Sequence, residues 1–278
     1  MEYVVKEKSL LLEFLLSNIK GKSKNNIKSI LKNGNVFVNN KSITKYDFKL
    51  NINDIVLIKN IYKEKDNKLD ILYEDEYLII VNKDEKLLTV SNDKEKYNTL
   101  YRYVSNYVKS KNKNNKVFIV NRLDKDTSGI VIFSKNKVIK EKMQSNWNNI
   151  VKLRKYIAIV EGVTEKSGII KSYLNENSKH IVYSSDNGKL AITEYKLIKT
   201  NNKYSMLDIT LHTGRKNQIR VHMKDIHHPV VGDKIYSSNS NPLNRLALHS
   251  NQVSFIHPVT QKIIDVYANI PEVFNNIV

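Results

Sequence analysis

The sequence predicts an α+β protein: a small αβ module over residues 1–60, a connector over 61–69, and a mixed, largely antiparallel β-sheet domain over 70–278. Three observations predict it. Helix-period apolar spacing and two short strands fill the first sixty residues. A charged, glycine-free run, "IYKEKDNKL", follows at 61–69. From Asp70 onward short apolar runs recur, several close enough in sequence to pair as antiparallel neighbours.

The first helix is expected near 8–19, where Leu11, Leu15 and Ile19 fall at i, i+4 and i+8 on one face. A second, in "SKNNIKSILKNG", carries Ile27, Ile30 and Leu31, opens at Ser23 and stops at Gly34. The strands "VFVNN", with Val36 and Val38 alternating, and "DIVLI" complete the module. In the larger part, strands are predicted at "YLIIVN", "VFIVN", "IVIFS", "KYIAIVEG", "AITEYKLI" and "SMLDITLH". Helices are predicted at about 97–110, 136–147 and 217–226. There is no internal repeat and no low-complexity tail.

Hydrophobic residues make up 41% of 278, enough for one large domain plus a small one. The chain has no cysteine, which excludes disulfides, thiolate catalysis and Cys-based zinc sites and fits a reducing compartment. No apolar run reaches the roughly 18 residues of a membrane helix. "LLLEFLL" is interrupted by Glu13 and lacks a following small-residue cleavage site, so it reads as helix rather than signal peptide. A cytoplasmic protein is expected. The net charge of +18 favours a polyanionic partner, RNA or DNA, over its rival, a Lys- and Asn-rich proteome that loads every surface with Lys. Residues 1–60 hold eleven Lys, no Arg and five acidic residues, a net of +6.

The segment "VFIVNRLDKDTSGIVIFSKN" (117–136) sets Arg122, Asp124 and Asp126 between two apolar runs. Nine residues separate "VFIV" from "IVIF", longer than a tight hairpin, and such loops are often functional. Asp124 and Asp126 are two apart and point oppositely if the loop is extended, so at most one need face a cleft. The other, with Thr127 and Ser128, can shape the turn, while Gly129 takes a φ that other residues resist. A competing reading makes all of them turn residues. An aspartic-protease motif is excluded, because Ser128 separates Thr127 from the glycine and no second Asp-Thr/Ser-Gly exists. A second polar cluster, "LHTGRKNQIRVHMKDIHHPVVGD" (211–233), runs a half-buried strand into Gly214 and then a helix with Ile219, His222 and Ile226 near one face. Arg215 and Arg220 flank its first turns. An Arg beside a partly buried Asp would hold the carboxylate ionised and lower its pKa. Read alone, this segment is an ordinary basic surface helix. The seven His have no HExxH-type spacing, so no metal is expected, and there is no glycine-rich phosphate loop.

"NRLDKDTSGIVIFSKN" resembles the signature loop of the RluA-type pseudouridine synthases, usually His-Arg-Leu-Asp-x-x-Thr-Ser-Gly. "TGRKNQIRVHM…HHPVVGDKIY", "ILYEDEYLIIVNK", "RKYIAIVEG" and "RLALHS…FIHP" resemble further segments of that family, in its order, over residues 70–258. Residues 8–58, with "GNVFVNN" and "NDIVLI", look like the small S4-like RNA-binding module named after a ribosomal protein. Asn121 departs from the usual His, Asp84 from a common Pro, and Lys216 and Asn217 from the usual Thr-His.

The resemblance implies a pseudouridine-synthase catalytic domain that isomerises uridines in structured RNA, large-subunit ribosomal RNA first, tRNA as the alternative. It implies no cofactor. Asp124 would be the carboxylate at the ribose, as nucleophile or as base. Arg220 would pair with Asp124 and keep it charged. Tyr156 would stack on the uracil, Leu248 would pack on the ring, and Arg122 would enter the space left by a flipped base. Arg215 and Ile219 join the substrate-binding set. No membrane partner is expected, and the chain is expected to act as a monomer. Two other classes compete: an RNA-binding protein that has lost catalysis, and a basic hydrolase using the Asp pair, for instance on a glycosidic bond, which would need two facing carboxylates at a fixed separation.

Overall fold

The computed structural model describes residues 1–32, 34–58, 69–93, 95 and 98–278. The chain forms two compact units, Met1–Asn67 and Lys68–Val278. Apart from Leu69, the expected connector lies outside the described residues.

The first unit runs β1 (Glu2–Val4), β2 (Ser9–Leu10), α1 (Leu11–Asn18), α2 (Lys24–Lys32), β3 (Val36–Val38), β4 (Lys41–Ser42), β5 (Lys49–Leu50) and β6 (Ile55–Ile58). Its sheet has the order β1-β6-β3-β4, and β2 pairs with β5. The apolar stripe Leu11, Leu15 and Ile19 is buried with Ile27 and Leu31 against Val36, Val38 and Val56. Ser23 Oγ accepts from the Asn26 amide at 3.3 Å, satisfying one of the free donors at the start of α2. Gly34 follows that helix at φ +70°, the left-handed turn that ends many helices.

The second unit opens with β7 (Asp70–Glu74), β8 (Leu78–Lys83), α3 (Leu100–Lys111), β9 (Phe118–Ile119) and β10 (Ser128–Ser134). Then come α4 (Lys137–Ser145), α5 (Trp147–Ile150), β11 (Val151–Glu161), β12 (Ser167–Glu176), β13 (Val182–Ser185), β14 (Lys189–Thr200) and β15 (Tyr204–Leu211). The chain closes with α6 (Gln218–Asp225), β16 (Leu248–Ile256), β17 (Ile263–Tyr267) and α7 (Glu272–Asn275). One sheet holds these strands in the order β13-β12-β14-β15-β11-β16-β10-β8-β7, with β17 on β16 and β9 on β10. The architecture is the mixed, largely antiparallel α+β fold that the sequence predicts.

The apolar runs 78–81 of β8 and 130–133 of β10 are unbroken because both faces of these strands are covered. Leu78, Ile80, Ile130 and Ile132 pack on Ile139, Met143 and Ile150 from α4 and α5. The alternate residues Ile79, Val81, Val131 and Phe133 pack on Leu100, Val104 and Val108 of α3. β10 and β16 pair in parallel, Ser128 with His249 and Gly129 with Ser250, while the other pairings of this sheet among the described residues are antiparallel. Parallel strands begin at the same edge. The loop before β10 and Leu248 at the start of β16 therefore arrive together.

Several local expectations are corrected. "VFIV" pairs as a strand only at Phe118–Ile119, where the partners are Phe133 and Ser134. Gly129 lies in β10 rather than in the loop; its φ is +113°, and a Cβ there would lie 2.1 Å from the Ser250 carbonyl oxygen. The helix expected over 136–147 breaks at Asn146 into α4 and α5. The one expected at 217–226 starts at Gln218, because Asn217 is left-handed at φ +54°.

Candidate active site

Arg122, Asp124, Tyr156, Arg215, Ile219, Arg220 and Leu248 all line one cleft of about 460 Å³ in the second unit. They reach it from four elements: the loop before β10, β11, β16, and α6 with the turn before it. Asp124 sits in the loop before β10. Tyr156 lies on β11 opposite Ser250 of β16, and opposite Ile209 of β15 on its other side. Leu248 opens β16. Arg215 precedes α6, and Ile219 and Arg220 form its first turn.

The loop bearing Asp124 is fixed from three sides. The Thr89 hydroxyl donates to the Leu123 carbonyl at 2.8 Å. Lys83, 1% exposed, donates its ammonium protons to the carbonyls of Asp84 (2.8 Å), Leu87 (2.7 Å) and Lys125 (3.0 Å). Burial draws the Lys83 pKa down to about 8, against the attraction of Asp126, Asp84 and Asp124. Past the loop, Arg245 bridges Glu85 (2.9 Å) and the Ser128 hydroxyl (2.6 Å), which also shares a 2.8 Å hydrogen bond with His249 Nδ1. Asn121 turns inward, its Oδ1 accepting from the Ile132 amide at 2.7 Å. Asn121, one of the four departures from the family pattern, therefore ties the loop to β10.

Asp124 keeps 41% of its side chain accessible, so it can meet a substrate. Enclosure at the cleft base pushes its carboxyl above its ordinary pKa, against the pull of Arg220, Lys216, Lys83 and Arg122. The expected lowering by a neighbouring Arg is thus outweighed by desolvation. The reason is geometric. Arg220 Nη1 stands 3.9 Å from Asp124 Oδ2, an ion pair without a hydrogen bond. The Arg220 fork goes instead to the buried Asp233, Nε to Oδ2 and Nη2 to Oδ1, both at 2.7 Å. Burial also raises the Tyr156 phenol, partly offset by Ser250 and Arg154.

An RNA pseudouridylate synthase family model matches residues 77–225, more than half of the chain. The chain belongs to that family. YhcT of Bacillus subtilis, an uncharacterized RNA pseudouridine synthase, is 34% identical over 76% of this chain and 71% of its own. The ribosomal large subunit pseudouridine synthase C of Buchnera aphidicola (subspecies Baizongia pistaciae) is 31% identical over 98% of this chain and 93% of its own. The solved structure of human RNA pseudouridylate synthase domain containing 4 superposes with a TM-score of 0.61 at 20% identity, over 74% of this chain and 90% of that one, and so shares the fold. The chain is an RNA pseudouridine synthase.

Sequence reasoning brought seven residues of the synthase to one cleft but missed the residues behind them. Asp233, Tyr236 and Lys83 were unassigned. Gln218, 2% exposed, organises the turn before α6: its Oε1 accepts from Thr213 Oγ1 and the Arg215 amide, and its Nε2 donates to the Ile192 carbonyl and Thr193 Oγ1. The signals were a Lys closing a strand of buried Ile and Val, and an acidic residue just after the buried Val230 and Val231 in "VVGDKIY". Arg122 is exposed on the rim, open to a ligand. Among the described residues no group of His, Asp and Glu could hold a metal ion, and no helix is long and apolar enough to cross a membrane.

Proposed function

We propose that this cleft isomerises a uridine of large-subunit ribosomal RNA, with Asp124 as the carboxylate that acts at the ribose. The observation that carries the reading is the convergence of Asp124, Tyr156 and Arg220, each from a different element, on one cleft. In the reaction the bond from ribose C1′ to uracil N1 breaks. The base turns, C1′ bonds to C5, and the proton displaced from C5 is balanced by one gained at N1. Atoms and redox state balance, so no cofactor is required. A carboxylate whose pKa is raised by enclosure is a better nucleophile and a better base than an exposed one. Tyr156 stacks on the uracil, and Leu248 and Ile219, both 4% exposed, form apolar walls for the ring. Arg122 and Arg215 hold the strand, and Arg122 fills the gap the flipped base leaves.

The first unit acts as an S4-like module that grips structured RNA by its phosphates. The ribosomal target is supported by the name of the Buchnera relative, whose match runs through both units. One chain supplies every residue of the site, which fits a monomer, and an RNA substrate fits the cytoplasm. The test is a map of pseudouridines in total RNA from cells with and without this gene. Loss of a site in large-subunit ribosomal RNA is the expected result. Loss confined to tRNA would overturn the target, and an unchanged map would overturn the reading.

A further inference from the structure

The Arg220 guanidinium faces two carboxylates and hydrogen-bonds only one of them, Asp233. Asp233, 1% exposed, accepts from four donors: Arg220 Nε and Nη2, and the amides of Ile235 and Tyr236, both at 3.0 Å. The guanidinium carbon lies 5.0 Å from the centre of the Tyr236 ring. The Tyr236 hydroxyl accepts from Asn217 Nδ2 and from the Val182 amide, both at 3.1 Å. Asn217 Oδ1 then accepts from Arg220 Nη1 at 3.3 Å, closing the ring of interactions. Asn217 does this from a left-handed backbone, φ +54°, which Asn tolerates better than most residues.

We propose that Asp233, with Tyr236 and Asn217, is a positioning group that withholds the Arg220 fork from Asp124. An Arg beside a lone carboxylate would collapse onto it as a bidentate pair, occupying both oxygens. Here Nε and Nη2 are already used, and Nη1 is held back by Asn217. Arg220 meets Asp124 as a fixed positive charge at 3.9 Å. Its oxygens stay open to the ribose, with 41% of the Asp124 side chain accessible. The proposal rests on Asp124 being the reactive group.

The test is Asp233→Asn in the full chain, assayed on its RNA substrate across pH. Freed of its counter-charge, Arg220 should close on Asp124. The expected result is a turnover drop of roughly 10- to 100-fold, the scale of an ångström-size misplacement. KM should stay within about twofold. The acid limb of the pH profile should move to lower pH, because a paired Asp124 holds its proton less well. The other charges facing Asp124, Lys216, Lys83 and Arg122, are unchanged by the substitution. Simple structural damage would lower turnover without moving that limb. If Asp233→Asn does not fold by circular dichroism, Asn217→Gly decides. It keeps the left-handed backbone, removes both side-chain hydrogen bonds and frees only Nη1, so it should show a smaller turnover loss and a smaller shift of the limb in the same direction. Normal turnover, or a loss with the limb unmoved, overturns the proposal. Asp124→Asn run beside them separates the failures. If it is active, the reading of the site falls; if it is dead while the variants behave as wild type, only the positioning group falls.

Discussion

Gly129→Ala is expected to be severely destabilising although it adds a single methyl group. The site is where β10 meets β16. The new Cβ would lie 2.1 Å from the Ser250 carbonyl oxygen and 2.6 Å from its nitrogen, and backbone atoms cannot rotate away. The residue also sits at φ +113°, which costs a non-glycine residue about 1–3 kcal/mol by itself. Forcing β10 from β16 adds overpacking strain of about 1–3 kcal/mol. The sum is roughly 2–6 kcal/mol. For a unit of this size each kcal/mol lowers Tm by about 2–4 °C, so a shift of about 5–20 °C is expected. Calorimetry of the wild type and the variant measures it. Because Ser250 lies opposite Tyr156, the separation should lower activity as well. A Tm within about 2 °C of wild type would refute the close approach of these strands.

Two further outcomes are expected. Lys83 has a folded pKa of about 8 against an ordinary value near 10.5, so its charge costs stability fully below about pH 8. The unfolded chain keeps a proton that the folded chain releases between those values, so wild type should gain up to about 3 kcal/mol over Lys83→Met as pH rises from 7 to 10. Urea denaturation of both proteins at several pH values checks it, and parallel curves would contradict it. Removing the first unit should leave a folded synthase that turns over at saturating RNA. Its affinity should fall and its salt dependence flatten by roughly 0.7–0.9 log units for every phosphate the protein no longer neutralises; a lower Tm with an unchanged salt slope would make that unit a scaffold instead.

What the sequence revealed followed from local periodicity. Leu11, Leu15 and Ile19 share a helix face whatever they pack on, and "LIIV" and "IVIF" are apolar because β8 and β10 are covered on both sides. β12 escaped prediction because Lys171, Ser172 and Asn175 interrupt its apolar residues, and one face of the strand is half-buried, with Leu174 alone fully enclosed, while the other is largely exposed. The seven cleft residues were found through motifs, whereas what holds them was not legible. The choice of Arg220 between Asp124 and Asp233 depends on the turn after α6, and no spacing rule encodes it. The direction of the Asp124 shift was missed for a related reason. A sequence reveals that an Arg is near but not how far the cleft excludes water. Asn121 and Asn217, departures from the family pattern, proved to be hydrogen-bonded into the frame of the site.

The central claim, that Asp124 performs the chemistry, is tested most directly by Asp124→Asn, which preserves shape and removes the charge. Tritium release from RNA carrying uridine labelled at C5 counts turnovers, and binding titrations with the same RNA report affinity separately. The account predicts no release above background from the variant, near-wild-type RNA affinity and an unchanged circular dichroism spectrum, while Asp126→Asn retains most activity. Release from Asp124→Asn at the wild-type rate would contradict it.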